Sequence, residues 1–289
     1  MWTVLGAPFD SSGAGRGEER APDALRAAGL REVFGAADAG DVAPPLRNPQ
    51  RDPESGIVAY AELRVSSQAL RAAVADALTR GERPLVLGGD CSLLVGAVAG
   101  ARDAVGRVGL WFVDGHADYL DGRSSPTGEA ADMDLAMLTG DSQGLVWQAG
   151  EGPLVEPAAV VILGHRPSSL SPDVALELER VPAAIARVSA EEIATAGPAE
   201  VGRRWAQALA GRGPAWLHLD LDALDEAALP AVTYQQPRGL DWDAFVSLTR
   251  PLLASAGLVG VSVADFNPDL DEEGRHARRV VAALARALP

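Results

Sequence analysis

Short runs of Val, Ile and Leu alternate with longer stretches whose apolar residues recur at helical spacing, and this pattern constrains the fold more than anything else in the chain. The runs from Trp2 to Gly6, Pro84 to Leu87, Val108 to Val113, Ala159 to Leu163, Trp216 to Leu221 and Leu258 to Val263 read as strands. Helices are expected near Pro22 to Ala28, Tyr60 to Arg80, Ser92 to Ala101, Pro172 to Glu179, Ala199 to Ala210, Trp242 to Ala254 and Glu273 to Leu288. The runs ending at Val113 and Leu163 are apolar throughout, which suits strands covered on both faces of a parallel sheet. The expectation is a single domain over residues 1–289, three-layer α/β/α with a mainly parallel sheet. The segment from Ala39 to Gly56, rich in Pro, Asp, Arg and Asn, reads as a surface loop.

Composition removes several classes of function. The net charge of −15 argues against phosphate-backbone binding, so nucleic acid is not expected as a partner. Every one of the 25 basic residues is arginine, which excludes mechanisms built on a lysine amine, among them P-loop ATPases and Schiff-base aldolases. The single cysteine, Cys91, excludes an intrachain disulfide and clustered-cysteine zinc sites. No stretch approaches the roughly 18 consecutive apolar residues of a membrane span, and the N-terminal residues lack the basic segment of a signal peptide. A cytoplasmic protein without a membrane partner is expected. The glycines of Gly13-Ala-Gly15-Arg-Gly17 do not keep the spacing of a dinucleotide-binding turn.

In open α/β sheets ligands bind beyond the carboxyl ends of the strands. Four runs end in loaded segments: Gly88-Gly-Asp-Cys91-Ser92, Asp114-Gly-His116-Ala-Asp118, His218-Leu-Asp220-Leu-Asp222 and Asp265-Phe-Asn-Pro268. Strand alternation would set His218, Asp220 and Asp222 on one face, with the leucines on the other. Four carboxylates at one sheet edge repel and are expensive to desolvate unless a cation compensates them. In a chain without lysine, a pair of divalent ions about 3.5–4 Å apart is the economical solution, and carboxylates with imidazole suit manganese.

These four segments, in this order, resemble the G-G-D-H-S, D-A-H-x-D, S-x-D-x-D and E-x-N-P motifs of the ureohydrolases, the family of arginase, agmatinase and formimidoylglutamase. Ala21-Pro22 to Gly29 is similar to the family's first helix, and Pro230 to Leu240 to its P-G-T-G-T-P-x-P-G-G-L loop. The resemblance implies a sheet of about eight strands, a two-manganese centre and a homo-oligomer. It further implies hydrolysis of a C–N bond in a small linear guanidino, amidino or formimidoyl compound by a metal-bound hydroxide. Asp114 and Asp220 would bridge the ions; His116 and Asp222 would complete one, Cys91 and Asp118 the other. Asp118 would also hold the attacking hydroxide, and Asp265 would pair with the cationic substrate, one methylene shorter than the family's glutamate.

The chain departs from the family at informative places. Cys91 replaces a histidine ligand, and a soft thiolate should weaken one manganese site, leaving it weak or empty, or shift it toward zinc or iron. The other reading of Cys91 is a buried free cysteine that touches no metal. Its place just before a helix would lower the thiol pKa and expose the thiolate. His218 stands where the family has serine and is either beside the ligands or a core histidine. Leu120 and Ala131 fall where arginases have a substrate-binding asparagine and a proton-carrying histidine, and Ser169 falls where an aspartate reads the α-amino group. L-Arginine is therefore not the expected substrate. Thr127, Glu129 and Asp132 remain as polar groups for the substrate, and His165 is either a stand-in acid near the site or a solvent-facing loop residue. A member of the fold that has lost hydrolysis and serves in binding or assembly is the competing class.

Overall fold

The computed structural model describes residues 1–140, 144–146 and 152–289. In chain order the elements are β1 (Trp2–Ala7), α1 (Ala21–Ala27), α2 (Leu30–Phe34), β2 (Ala37–Asp41), α3 (Tyr60–Thr79), β3 (Arg83–Gly88), α4 (Leu93–Val105), β4 (Gly109–Val113), α5 (Asp134–Thr139), β5 (Val160–His165) and α6 (Pro172–Arg180). They continue with β6 (Ala186–Ser189), α7 (Ala190–Ala196), α8 (Pro198–Ala210), β7 (Ala215–Asp220), α9 (Trp242–Leu253), β8 (Leu258–Ala264) and α10 (Arg275–Ala287). The eight strands form one sheet in the order β2-β1-β3-β8-β7-β4-β5-β6, and every pairing is parallel. The expected α/β architecture and strand number are both found.

The apolar runs lie in the interior of this sheet, where side chains alternate between two separate cores. On β4, Leu110 and Phe112 pack with α3 and α4, whereas Trp111 and Val113 pack with the layer that contains α8 and α9. Trp111 and Phe112 are completely buried, so truncating either to alanine should cost about 3–5 kcal/mol. No helix among the described residues is long and apolar enough to cross a membrane.

The expected six strands omit the two at the sheet's edges. β2, with the sequence Ala-Asp-Ala-Gly-Asp, is exposed along its length and carries no apolar alternation. It holds its place by pairing with β1, so the segment from Ala39, expected as loop, begins inside a strand. β6 is only four residues long and leads into α7 through Ser189. α2, α5 and α7, of five, six and seven residues, are too short to show a helical period.

Candidate metal centre

The four loaded segments end β3, β8, β7 and β4, which are consecutive in the sheet although far apart in sequence. Parallel topology therefore brings Cys91, Asp265, Asp220 with Asp222, and Asp114 with His116 and Asp118 to one edge. Close backbone approach shapes that edge. A Cβ on Gly89 would lie 1.6 Å from the Phe9 carbonyl oxygen, and one on Gly115 would lie 1.5 Å from Nη1 of Arg166. Asp118 and Asp265 both adopt left-handed backbone, with φ of 46° and 63°. Such conformations cost on the order of 1–3 kcal/mol for a non-glycine residue and collect at functional positions.

Asp222 corrects the strand-alternation argument. β7 ends at Asp220, and Asp222 reaches the site from a 3₁₀ turn over Leu221–Ala223, within which the amide of Asp222 donates to Asp220 Oδ1 at 2.5 Å. His218 and Asp220 do share one face of the strand. The thiol of Cys91 lies 3.1 Å from His218 Nε2, 2.6 Å from Asp220 Oδ2, 2.9 Å from Asp265 Oδ2 and 4.0 Å from Asp114 Oδ2. Asp265, expected as a partner of the substrate, is thus in direct contact with the ligand cluster as well.

Three groups of potential ligand atoms lie within 4.8 Å of one another at this edge: Asp114, His116 and Asp222; Cys91, Asp114, His218 and Asp220; and Cys91, Asp118 and Asp134. The first is balanced by its own charges. His116 Nδ1 is 2.9 Å from Asp222 Oδ2, and its Nε2–H donates to Gln236 Oε1 at 3.1 Å. Despite burial, which opposes both shifts, His116 and Arg166 pull Asp222 down to about 2, and Asp222 and Asp114 push His116 up to about 10. Arg166 is fully buried and secures this side, donating to the main-chain oxygens of Asp222, Leu224 and Gln236 at 2.5, 2.9 and 3.1 Å.

The Cys91 side has no such balance. Burial first, and neighbouring carboxylates second, push Asp118, Asp134, Asp265 and the Cys91 thiol well above their ordinary ranges, and Asp220 to about 7. The expectation of an accessible, acidified Cys91 is wrong on both counts. The side chain is buried, and that burial first, with the surrounding carboxylates second, pushes the thiol up rather than down.

The remaining expected residues divide. Thr127 and Glu129 line the cavity above the centre, which measures about 240 Å³. Both are already engaged: Thr127 donates to Asp132 at 2.8 Å, and Glu129 accepts from Arg16 at 2.6 and 3.2 Å and from the Tyr234 hydroxyl at 3.1 Å. Leu120 and Ala131 line the cavity and offer it no polar side-chain atom. Ser169 is bonded to Arg238 and is not part of the cavity wall. His165 corrects two expectations. It is buried at the end of β5 rather than solvent-facing, and its Nδ1–H donates to the Arg166 carbonyl at 2.8 Å, away from the cavity wall. His218 is fully buried, stacked on Phe112 and bonded through Nδ1 to the Ser262 hydroxyl at 2.8 Å, so it is a core residue and a neighbour of Cys91 at once. Burial drives it down to about 3, which keeps the ring neutral.

Sequence reading missed Gln236, Arg166, Glu18 and Asp134. Gln236 lies in the Pro230 to Leu240 loop, whose resemblance to the family was noted without assigning it a role. Glu18 lines the cavity beside Asp265, and both of its buried oxygens lack a hydrogen-bond partner. Asp134 begins α5, a helix too short to be foreseen.

The residues fit divalent metal ions. Buried carboxylates cluster around imidazole nitrogen and one sulfur, and carboxylate oxygens at the Cys91 side have no hydrogen-bond donor. Comparisons with known proteins agree. A sequence model described as Arginase family matches residues 1–288. The arginase of Bacillus caldovelox is 30% identical over 293 residues, covering 98% of this chain and 96% of that protein. Its native crystal structure superposes with a TM-score of 0.86 over 99% of this chain and 97% of that one, and the Bacillus subtilis arginase structure gives 0.85 over 100% and 98%. The proclavaminate amidino hydrolase of Streptomyces clavuligerus, 20% identical, shares the fold with a TM-score of 0.72 over 99% of this chain and 89% of that one. The ordered motifs, the parallel sheet and these matches together establish that the chain belongs to the arginase family.

Proposed function

We propose that this chain hydrolyses a C–N bond in a small, linear, cationic guanidino or amidino compound at a centre of two divalent ions, and that L-arginine is not its preferred substrate. The observation that carries the reading is the meeting of Cys91, Asp114, His116, Asp118, Asp220 and Asp222 at one sheet edge beneath a cavity. Asp114, His116 and Asp222 would hold one ion, and Cys91, Asp118 and Asp220 would share in the other. When bound, such ions supply Lewis acidity and lower the pKa of water held between them.

The chain's own groups set the rest. Asp265 and Glu18 both line the cavity wall, and neither oxygen of Glu18 accepts a hydrogen bond, so a planar cation finds two carboxylates there. Charge-assisted pairing of this kind fixes both position and orientation of a guanidinium. Asp118, held in left-handed backbone, lines the same cavity and supplies it with a third carboxylate. Asp132, Asp173 and Glu177 also line the wall, whereas the one arginine there, Arg16, is bound to Glu129. An amino-acid carboxylate would meet acids in this mouth, which is the physical case against L-arginine.

The test is a panel of guanidino, amidino and formimidoyl compounds supplied with manganese or zinc, with ammonia, urea and formamide release measured. A cationic member should be cleaved, with L-arginine slower by roughly 10- to 100-fold, the worth of one or two charged hydrogen bonds. Preferred cleavage of L-arginine would overturn the substrate reading. Metal uptake without any hydrolysis would instead support a binding or assembly role, which the exchange of the proton-carrying histidine for Ala131 favours.

A further inference from the structure

The ligand set carried over from the family leaves the Cys91 side one imidazole short, yet the structure places an additional acid there. We propose that Asp134 is a ligand of the ion on the Cys91 side, replacing in charge what the missing histidine supplied in nitrogen. The inference rests on the metal reading above and extends it to a residue outside the motifs.

Two observations carry it. A ligand oxygen of Asp134 lies within 4.8 Å of both the Cys91 sulfur and a carboxylate oxygen of Asp118, so one ion can touch all three. The Asp134 side chain is fully buried, and neither of its oxygens accepts a hydrogen bond of normal geometry. Buried carboxylates are almost always satisfied, because leaving one unpaired costs more than a neutral polar group would. The nearby side chains are themselves acidic, so no protein cation among the described residues takes this role.

Local sequence explains how the acid gets there. Met133 precedes α5 and is completely buried, anchoring the helix start against the core. The amide of Ala136, one turn on, donates to the Asp118 carbonyl at 3.2 Å, tying the helix directly to the ligand loop. Asp134 is therefore delivered from a rigid element, as ligands generally must be. A site of one thiolate and at least two carboxylates is borderline in softness. It should accept zinc or cobalt, with sulfur as one donor, more readily than manganese.

The test compares the full-length wild-type chain with Asp134→Asn and Cys91→Ser by zinc titration, and by cobalt absorption, in which a thiolate-bound ion gives a sulfur-to-metal band. The wild type should bind two zinc ions per chain and show the band. Asp134→Asn should weaken one ion by at least roughly tenfold while leaving the other unchanged, and Cys91→Ser should weaken that same ion and abolish the band. A thermal melt guards against misfolding. Without metal, Asp134→Asn should melt above the wild type because an unpaired buried carboxylate is gone, and its rise on adding zinc should be smaller. Two zinc affinities equal to wild type in Asp134→Asn, or an undiminished rise in melting temperature, would overturn the role of Asp134 alone. A wild-type chain that binds no ion would overturn both this inference and the metal reading beneath it.

Discussion

The His116 side and the Cys91 side of the centre lie at one edge of the sheet, beyond β4 and β3 with β7 and β8 between them, and are built on opposite electrostatic plans. At the His116 side, a 2.9 Å imidazole–carboxylate contact, the buried Arg166 and Gln236 form a hydrogen-bonded network in which the acids are met by protein cations. At the Cys91 side, Asp118, Asp134, Asp220 and Asp265 surround a thiol, and no cation pairs with them among the described residues. One half is preorganised and close to charge-balanced; the other is a stored demand for positive charge. The half whose sequence departs from the family is therefore the half that depends most on its ion.

Perturbations at each half should separate them. Asp220 touches Cys91 directly and receives the amide of Asp222, so it joins the two. Asp220→Asn should lower kcat/KM on the best substrate by on the order of a thousandfold or more, the several kcal/mol attributed to metal-assisted catalysis, and metal counting should show loss at both positions. Arg166→Met should instead act on stability. It strands three main-chain carbonyls and an adjacent carboxylate, for a loss of about 3–5 kcal/mol in denaturant unfolding. An unchanged unfolding midpoint would show that the His116 side is not held by this arginine.

Smaller effects sharpen the contrast. Gln236→Ala removes the acceptor that fixes the His116 ring, so affinity at that side should fall roughly 10- to 100-fold with the cobalt–sulfur band unaffected. A drop in the band would mean that the halves are not independent. Ser189→Ala, in the capping box of α7 and away from both halves, should cost about 1 kcal/mol of stability and leave metal binding untouched. Any change in metal affinity there would point to global loosening rather than local ligation.

The contrast also explains what could be read from sequence. Interior strands such as β4 and β5 are legible because burial on both faces demands continuous apolar residues. The edge strands β2 and β6 are not, since their places come from pairing with a neighbour and not from their own pattern. All six expected ligands lie in strand-end motifs whose spacing is visible in one dimension. Gln236 and Asp134 reach the same centre from a loop and from a six-residue helix, where no local period announces an inward direction. The accessible, acidified Cys91 failed as an expectation because the position before α4 was weighed without the burial of the thiol beneath the strand ends and the carboxylates that β7 and β8 bring against it.

One centre offers two chemically different places for a cation. Anomalous diffraction from crystals of the wild-type chain given one equivalent of zinc and an excess of manganese tests it most directly. Zinc should appear among Cys91, Asp118 and Asp134, and manganese among Asp114, His116 and Asp222. Zinc at the His116 side, or zinc divided equally between the two, would contradict it.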